Sequence, residues 1–486
     1  MAPSIASLPL AFSDILPSDG VELLHEKSLE IMAEMGIVVK HEEALDLLES
    51  HGCDVDQESQ LVRFPRSLVA DCIESTPEQF TVHARDEAND LAIGGGDRLT
   101  APVYGPTNVL TYDSGRRNST IEDYELFMKL VQQEDPITST GYSVCEPNDV
   151  PQETKHVEML LRSLRMTDKP VMASTYGEER ARTSLEMVGI AHDDPDLSEP
   201  YAVGVVNTVP PRQWDEKMTG GLMEYAKREQ PIIVTPGVMS AASGPATLAG
   251  SLALSNAETL VGIVIGQLVS PGTPMVYSLS GIPIDIRHGT YSTGSPEGRI
   301  LTAVAEQMGR RYEIPVRGWG SDTDAKTINT QSGSESILSV LVSMATDTDV
   351  IVHAAGGLDS FSAASPEKFV LDTERMRLID HLLDPFALDE DAFALDLIED
   401  IEPGGHFLNE KHTLSHGRAE HFFPDLFERR SHDDWQQAGE PDPFESAHEY
   451  VRAQVEAYER PAMDPDVERD LEAFADARRE DILDAD

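Results

Sequence analysis

The sequence predicts an α/β fold, a (β/α)8 TIM barrel with an N-terminal helical extension and a C-terminal helical segment. Three observations predict it. From about residue 100, short apolar or β-branched runs alternate with longer helical patterns. Eight such strand-then-helix units can be counted. The chain before them reads as helices and then short strands, and the chain after them as helices, without this alternation. A doubly wound open sheet is the rival arrangement, and the count of units is what favours the barrel.

The elements follow in order. Residues 18–52 hold two helical patterns, "GVELLHEKSLEIMAEMG" and "HEEALDLLESHG", each stopped by glycine. Residues 60–100 read as short strands and turns. Strands are then expected in "APVYG" with "NVLTYD", "ITSTGYSV", "PVMAST", "AVGVVNT", "PIIVT", "PMVYSLS", "IPVRGWG" and "DVIVHAA". The helices between them are expected at 121–135, 153–167, 178–192, 213–229, 246–269, 296–312, 333–347 and 366–383. Ser119 or Thr120 before "IEDYE", and Ser295-Pro296-Glu297, are suitable helix starts. The chain thus divides into an extension over 1–100, the barrel over 101–384 and an acidic helical segment over 385–486.

Composition narrows the function. With 37 basic and 87 acidic side chains, the formal charge is −50. Lysine is scarce, at 10 residues against 27 arginines. The acidic residues are spread along a chain that is dense in apolar segments, so a folded protein with an acidic surface is expected, not a disordered one. Self-repulsion of this size is screened at molar salt, where the Debye length is ~3 Å. A salt-rich cytoplasm is the expected setting. Nucleic acid needs basic stripes and is excluded as a partner. Cys53, Cys72 and Cys145 have neither metal-ligand spacing nor a disulfide framework, which suits a reducing compartment. The N-terminus lacks a basic region before its apolar residues, so it is a poor signal peptide. Leu248 to Val269 is the most apolar stretch, but Asn256, Glu258 and Gln267 interrupt it. A buried helix is expected there, and no membrane association.

In a barrel of this type chemistry sits at the carboxyl ends of the strands. Those ends carry Tyr104, Tyr142, Tyr176, Arg287, Tyr291, Trp319 and His353. Aromatic faces attract cations, and quaternary ammonium groups are a known case. "RGWGSDTDAKTINTQSG", from Arg317 to Gly333, is the polar, glycine-rich loop expected at the mouth. Ordinary packing at a strand end competes with a binding role for each tyrosine. Trp319 favours function, because flanking glycines cannot cover it. Lys326 is a candidate for a Schiff base, against which its polar neighbours argue. His406, His412, His416 and His421 offer imidazoles, but their order fits no HExxH motif, and no metal site is assigned.

Several stretches resemble the trimethylamine methyltransferase family: "IMAEMGIVVKHEEALDLLESHGCDVD", "NVLTYDSGRRNST", "NAETLVGIVIGQLVSPGTPMVY", "GSPEG", "GSDTDAKTINTQSG" and "EPGGHFLNEKHTLSHGRAEHFFP". They run in order from about residue 20 to 460. The resemblance implies a (β/α)8 barrel that passes a methyl group from a methylated amine to Co(I). That cobalt belongs to a cobalamin carried by a separate small corrinoid protein, with no covalently bound cofactor here. A homo-oligomer is also implied. In the trimethylamine enzymes a pyrrolysine lies in the loop matching "SDTDAKTINTQSG", and Thr327 stands at or beside that position. Asp324, Thr327 and Gln331 of this loop are therefore the catalytic candidates. The ordinary residues here favour a quaternary amine such as glycine betaine as substrate. Trp319, Tyr104, Tyr142, Tyr176, Arg287, His353 and Lys326 are the expected substrate contacts. Arg287, Arg317, Lys326 and His353 are the groups that would meet a carboxylate. A trimethylamine-type enzyme and a non-catalytic betaine-binding barrel are the alternatives.

Overall fold

The computed structural model describes residues 4–6, 14–384 and 386–484. Of the N-terminal stretch read above for a leader, residues 1–3 and 7–13 lie outside the described residues, as does residue 385 at the expected barrel end.

The protein is an α/β structure built on parallel strands. One sheet joins Val171–Ala173, Ala202–Asn207, Ile232–Thr235 and Met275–Val276 in that order, all parallel. A second joins Arg317–Trp319, Val350–Val352 and Leu99–Thr100, also parallel. Backbone bonds connect the two sheets at both edges. Tyr277 N–H donates to Pro315 O and Arg317 N–H to Tyr277 O, each at 2.8 Å. On the other side Thr138 and Ser139 N–H reach Thr100 O at 3.1 Å, and Thr140 N–H reaches Pro170 O at 3.0 Å. Every residue of Ile232–Thr235 is buried, as the unbroken apolar run "PIIVT" requires of a strand covered on both faces.

Helices lie between the strands at Ile121–Gln133, Lys155–Met166, Glu178–Ala191, Glu216–Ala226, Leu248–Val269, Pro296–Tyr312, Thr330–Ala345 and Pro366–Leu383. Their starts follow local chemistry. Thr120 and Asp123 cap the first of them reciprocally, side chain to backbone in both directions. Thr330–Ala345 begins earlier than periodicity suggests because Asn329 and Ser332 form the same reciprocal cap, with bonds of 3.0 and 2.9 Å.

Three readings of the sequence need correction. Arg66–Ser75 is a helix inside the region read as strands and turns. Val69 and Cys72, one turn apart, bury its inner face, and the helix packs on Leu248–Val269. "NVLTYD" leaves the parallel array: Asn108–Thr111 forms an antiparallel hairpin with Gly115–Asn118. "ITSTGYSV" contributes backbone bonds at 138–140 without forming a regular strand.

Leu248–Val269 is long and apolar enough to cross a membrane, yet 83% of its most apolar window is buried in the protein. Its polar groups are paired there. Asn256 donates to Ser28 and Tyr312 hydroxyls at 2.9 Å and accepts from Tyr277 at 2.8 Å. Near the C-terminus, Pro443–Ala457 packs on Pro366–Leu383. Pro465–Asp484 packs on Lys155–Met166 and Glu178–Ala191, burying Leu471 and Ala475. The three cysteines are buried thiols.

Candidate functional site

Two glycines explain the composition around Trp319. A Cβ on Gly318 would lie 2.8 Å from Ser343 Oγ on the neighbouring helix. A Cβ on Gly320 would lie 2.2 Å from the backbone carbonyl carbon of His353. The glycines therefore let the chain press against its neighbours; they do not leave the indole bare. Trp319 is 4% exposed.

The indole belongs to a stack. The His353 ring is parallel to it at 8°, with centroids 5.7 Å apart. Phe361 lies 6.0 Å from Trp319 at 17° and 4.1 Å from His353 at 25°. Tyr291 adds a fourth ring, 6.3 Å from Phe361. The Arg317 guanidinium sits on the Trp319 ring, 3.9 Å from its centroid, a cation–π contact between residues i and i+2 of one strand.

The backbone that presents these rings is strained. Asp359, Ser360 and Phe361 are consecutive non-glycine residues at φ 53°, 50° and 70°, and His353 stands at 65°. Such conformations cost ~1–3 kcal/mol each and gather at functional sites. The loop after Trp319 holds the strained run in place. Asp359 N–H donates to Ala325 O at 2.9 Å and Ser360 N–H to Thr323 O at 3.1 Å. The Ser360 hydroxyl lies 2.7 Å from Asp324 Oδ1. That carboxylate oxygen also accepts from Thr293 Oγ at 3.1 Å and Gly294 N–H at 3.2 Å. Asp324 is thus the tie between three loops.

Beside the stack, a cavity of about 260 Å³ is lined by Tyr104, Tyr142, Tyr176, His156, Arg180 and Asn207. The Tyr104 and Tyr142 rings are 5.9 Å apart. Tyr176 is exposed at the rim, with Lys217 Nζ 4.7 Å from its ring centroid. One bond joins the cavity to the stack: Tyr104 N–H donates to His353 Nδ1 at 3.2 Å. A backbone N–H can only donate, so Nδ1 accepts and the neutral ring carries its proton on Nε2.

Burial sets the charges. Desolvation, then the Arg317 charge, hold the His353 pKa well below its ordinary value, so the ring is neutral. Desolvation lowers Arg317 to about 10 and raises the Asp322 carboxyl to about 6. It also raises Tyr104 and Tyr142, keeping both phenols protonated. The result is a neutral aromatic surface around a desolvated guanidinium.

Of the residues expected at the site, Trp319, His353, Tyr104, Tyr142 and Tyr176 are brought together. Arg287 is not: it projects from the hairpin of Ile282–Asp285 and Thr290–Tyr291, its side chain 78% exposed and bound to Asp285. Lys326 is 65% exposed and pairs with Asp359 at 2.6 Å. Thr327 and Gln331 are exposed, and Gln331 donates to Glu335 at 2.9 Å. Neither makes a hydrogen bond or ring contact with the stack. Asp324 is near the stack as a positioning residue through Ser360. His412 and His416 stack on each other at 4.3 Å, and among the described residues no group of His, Cys, Asp or Glu is arranged to hold a metal ion. Sequence reasoning missed Phe361, Arg299, Asp322 and His156. Asp322 had a signal in its place just beyond a strand end; Phe361 had none, because no glycine marks its left-handed turn.

The family described as Trimethylamine methyltransferase (MTTB) matches residues 4–483. The glycine betaine methyltransferase of Desulfitobacterium hafniense (strain Y51) is 36% identical over 471 residues, spanning 96% of this chain and 98% of that protein. The proline betaine:corrinoid methyltransferase of Eubacterium limosum is 28% identical over 440 residues, 87% of each. The trimethylamine methyltransferase MttB of Methanosarcina barkeri is 25% identical, over 95% of this chain and 94% of that one. Among solved structures, the hydroxylamine MtmB complex superposes with a TM-score of 0.50 at 12% identity, covering 92% of this chain and 89% of that one. The chain belongs to the trimethylamine methyltransferase (MTTB) family.

Proposed function

We propose that the protein is a methyltransferase that takes a methyl group from a quaternary amine of the glycine betaine kind and passes it to a corrinoid protein. The observation that supports this most is the joined aromatic site: the Trp319–His353–Phe361 stack, bonded through Tyr104 to the tyrosine-lined cavity. The names of the two betaine-acting relatives point the same way.

The fold fits this reading as a (β/α)8 barrel over roughly residues 101–384, with the extension and the acidic segment packed around it. The backbone bonds at both sheet edges support closure. The site then lies at the barrel mouth, where such folds keep their chemistry.

The methyl acceptor, Co(I) of a corrinoid brought by the partner protein, supplies the nucleophile. The chain's own task is binding, orientation and exclusion of water. A quaternary ammonium leaves as a neutral tertiary amine, so its departure needs no proton from the enzyme. This fits a site whose histidine and tyrosines are neutral. A neutral His353 also adds no further cation to that of Arg317 beside a cationic substrate. The aromatic faces attract the ammonium, and their burial strengthens that attraction. A cytoplasmic, salt-adapted and homo-oligomeric enzyme completes the reading.

Calorimetric titration in multimolar KCl tests it, with glycine betaine, proline betaine, carnitine and trimethylamine as ligands. Heat from a betaine is the expected result. Heat from trimethylamine alone would reject the quaternary-amine assignment.

A further inference from the structure

Arg317 is 2% exposed, and neither its Nε nor its Nη1 has a hydrogen-bond partner. Its guanidinium rests on the Trp319 face and feels the charge of Asp322, with Tyr291 and Arg299 also close enough to act on it; neither Asp322 oxygen makes a hydrogen bond. A second buried guanidinium shares that one carboxylate. Arg299, 5% exposed, donates from Nη2 to Thr293 O at 2.9 Å and approaches Asp322 Oδ2 to 3.7 Å, while its Nε and Nη1 are unpartnered.

The other charges nearby are already engaged. Lys368 and Arg375 both bind Asp372, at 2.6 and 2.5 Å. Asp324 and Glu335 accept from the loop donors Thr293, Gly294, Thr323 and the Asp324 N–H. Buried guanidinium donors without acceptors are costly to maintain. Two forks that share one carboxylate leave a net positive charge and free donors suited to a second, incoming carboxylate.

The surroundings fix what carries that carboxylate. Tyr291, His353 and Phe361 are each partly exposed, whereas Arg317 and Trp319 beside them are buried. The cluster therefore opens on its aromatic side, and the guanidinium lies behind the rings. A ligand with a quaternary ammonium one short linker from a carboxylate matches both parts.

We propose that Arg317, backed by Arg299, is the carboxylate subsite that makes this protein select zwitterionic betaines over quaternary cations without a carboxylate. The assignment rests on the quaternary-amine reading above and adds its specificity. It requires Arg317 to donate through its fork to the betaine carboxylate while the aromatic rings hold the ammonium.

The test is calorimetric titration of the full chain with glycine betaine and with tetramethylammonium, for the wild type, Arg317→Met and Arg317→Lys. The wild type is expected to prefer glycine betaine by about 10- to 100-fold, the scale of charge-assisted hydrogen bonds. Arg317→Met is expected to lose that preference, its affinity for glycine betaine falling by a larger factor than its affinity for tetramethylammonium. Arg317→Lys, which keeps the charge and loses the fork, should fall between. A wild type that binds both ligands equally overturns the proposal without any variant. So does Arg317→Met with its preference intact, or with equal losses for both ligands. The two readings fail separately: methyl transfer to a corrinoid protein from tetramethylammonium as readily as from glycine betaine sinks the Arg317 assignment and leaves the methyltransferase standing. Betaine-selective binding without any methyl transfer does the reverse.

Discussion

The indole of Trp319 and the imidazole of His353 lie parallel, 8° between their planes, across two neighbouring strands. The Arg317 guanidinium takes the face of the same indole. Trp319 therefore organises the site as much as it lines it. Trp319→Phe is expected to fold and to bind glycine betaine about tenfold more weakly, the order of one desolvated cation–π contact. Titration calorimetry checks this, and unchanged affinity would remove the indole from the site. Trp319→Ala is expected to lose ~3–5 kcal/mol of stability as well, because the residue is buried.

Gly320 meets the His353 backbone with no room for a methyl group. Gly320→Ala must push the Trp319 strand away from its neighbour or displace His353. Overpacking of this kind costs ~1–3 kcal/mol. A urea unfolding curve of the variant should show the loss, and a midpoint equal to the wild type's would show that the two strands can part freely.

Glu258 lies buried under the Ala202–Asn207 strand end, accepting from the Thr208 hydroxyl and from Arg212 N–H at 2.7 Å. Burial raises its pKa from 4.5 to about 7. The sign follows from linkage. Below pH 4.5 both folded and unfolded states hold the proton, and Glu258 costs nothing. Between pH 4.5 and 7 the unfolded chain releases it first, so stability falls as pH rises, by about 3 kcal/mol in all. Glu258→Gln mimics the protonated acid, since its amide can donate to Thr208 and its carbonyl can accept from Arg212. The variant should match the wild type at pH 4 and exceed it at pH 8. Equal urea midpoints at pH 8 would show that the carboxylate is not penalised there.

The charge of −50 predicts a salt requirement. Raising KCl from 0.1 to 2 M, which shortens the Debye length from ~10 Å to below ~3 Å, should raise the melting temperature. A melting temperature independent of salt would contradict the self-repulsion argument.

Much of the fold was legible in the sequence because its signals are local. Eight helices fall within three residues of their expected bounds, and six of the eight strand runs hold regular parallel strands, while a seventh parallel strand, Leu99–Thr100, lies just ahead of "APVYG". The helix Arg66–Ser75 was not legible, since its apolar side is only Val69 and Cys72 facing a distant helix. The site was legible where it rests on strand ends: Tyr104, Tyr142, Tyr176, Trp319 and His353. It was not legible where tertiary packing decides. Phe361 reaches Trp319 through three consecutive left-handed residues that no glycine announces. Arg299 arrives from the first turn of a helix, and its meaning depends on which partners it lacks. Arg287 read as a site residue from its place after a strand, but its hairpin turns it outward onto Asp285.

The most direct test of the central claim is methyl transfer by the purified protein to a reduced corrinoid protein in multimolar KCl, with glycine betaine and trimethylamine as competing donors. The account predicts dimethylglycine as the product and no demethylation of trimethylamine. Dimethylamine as the sole product would contradict it.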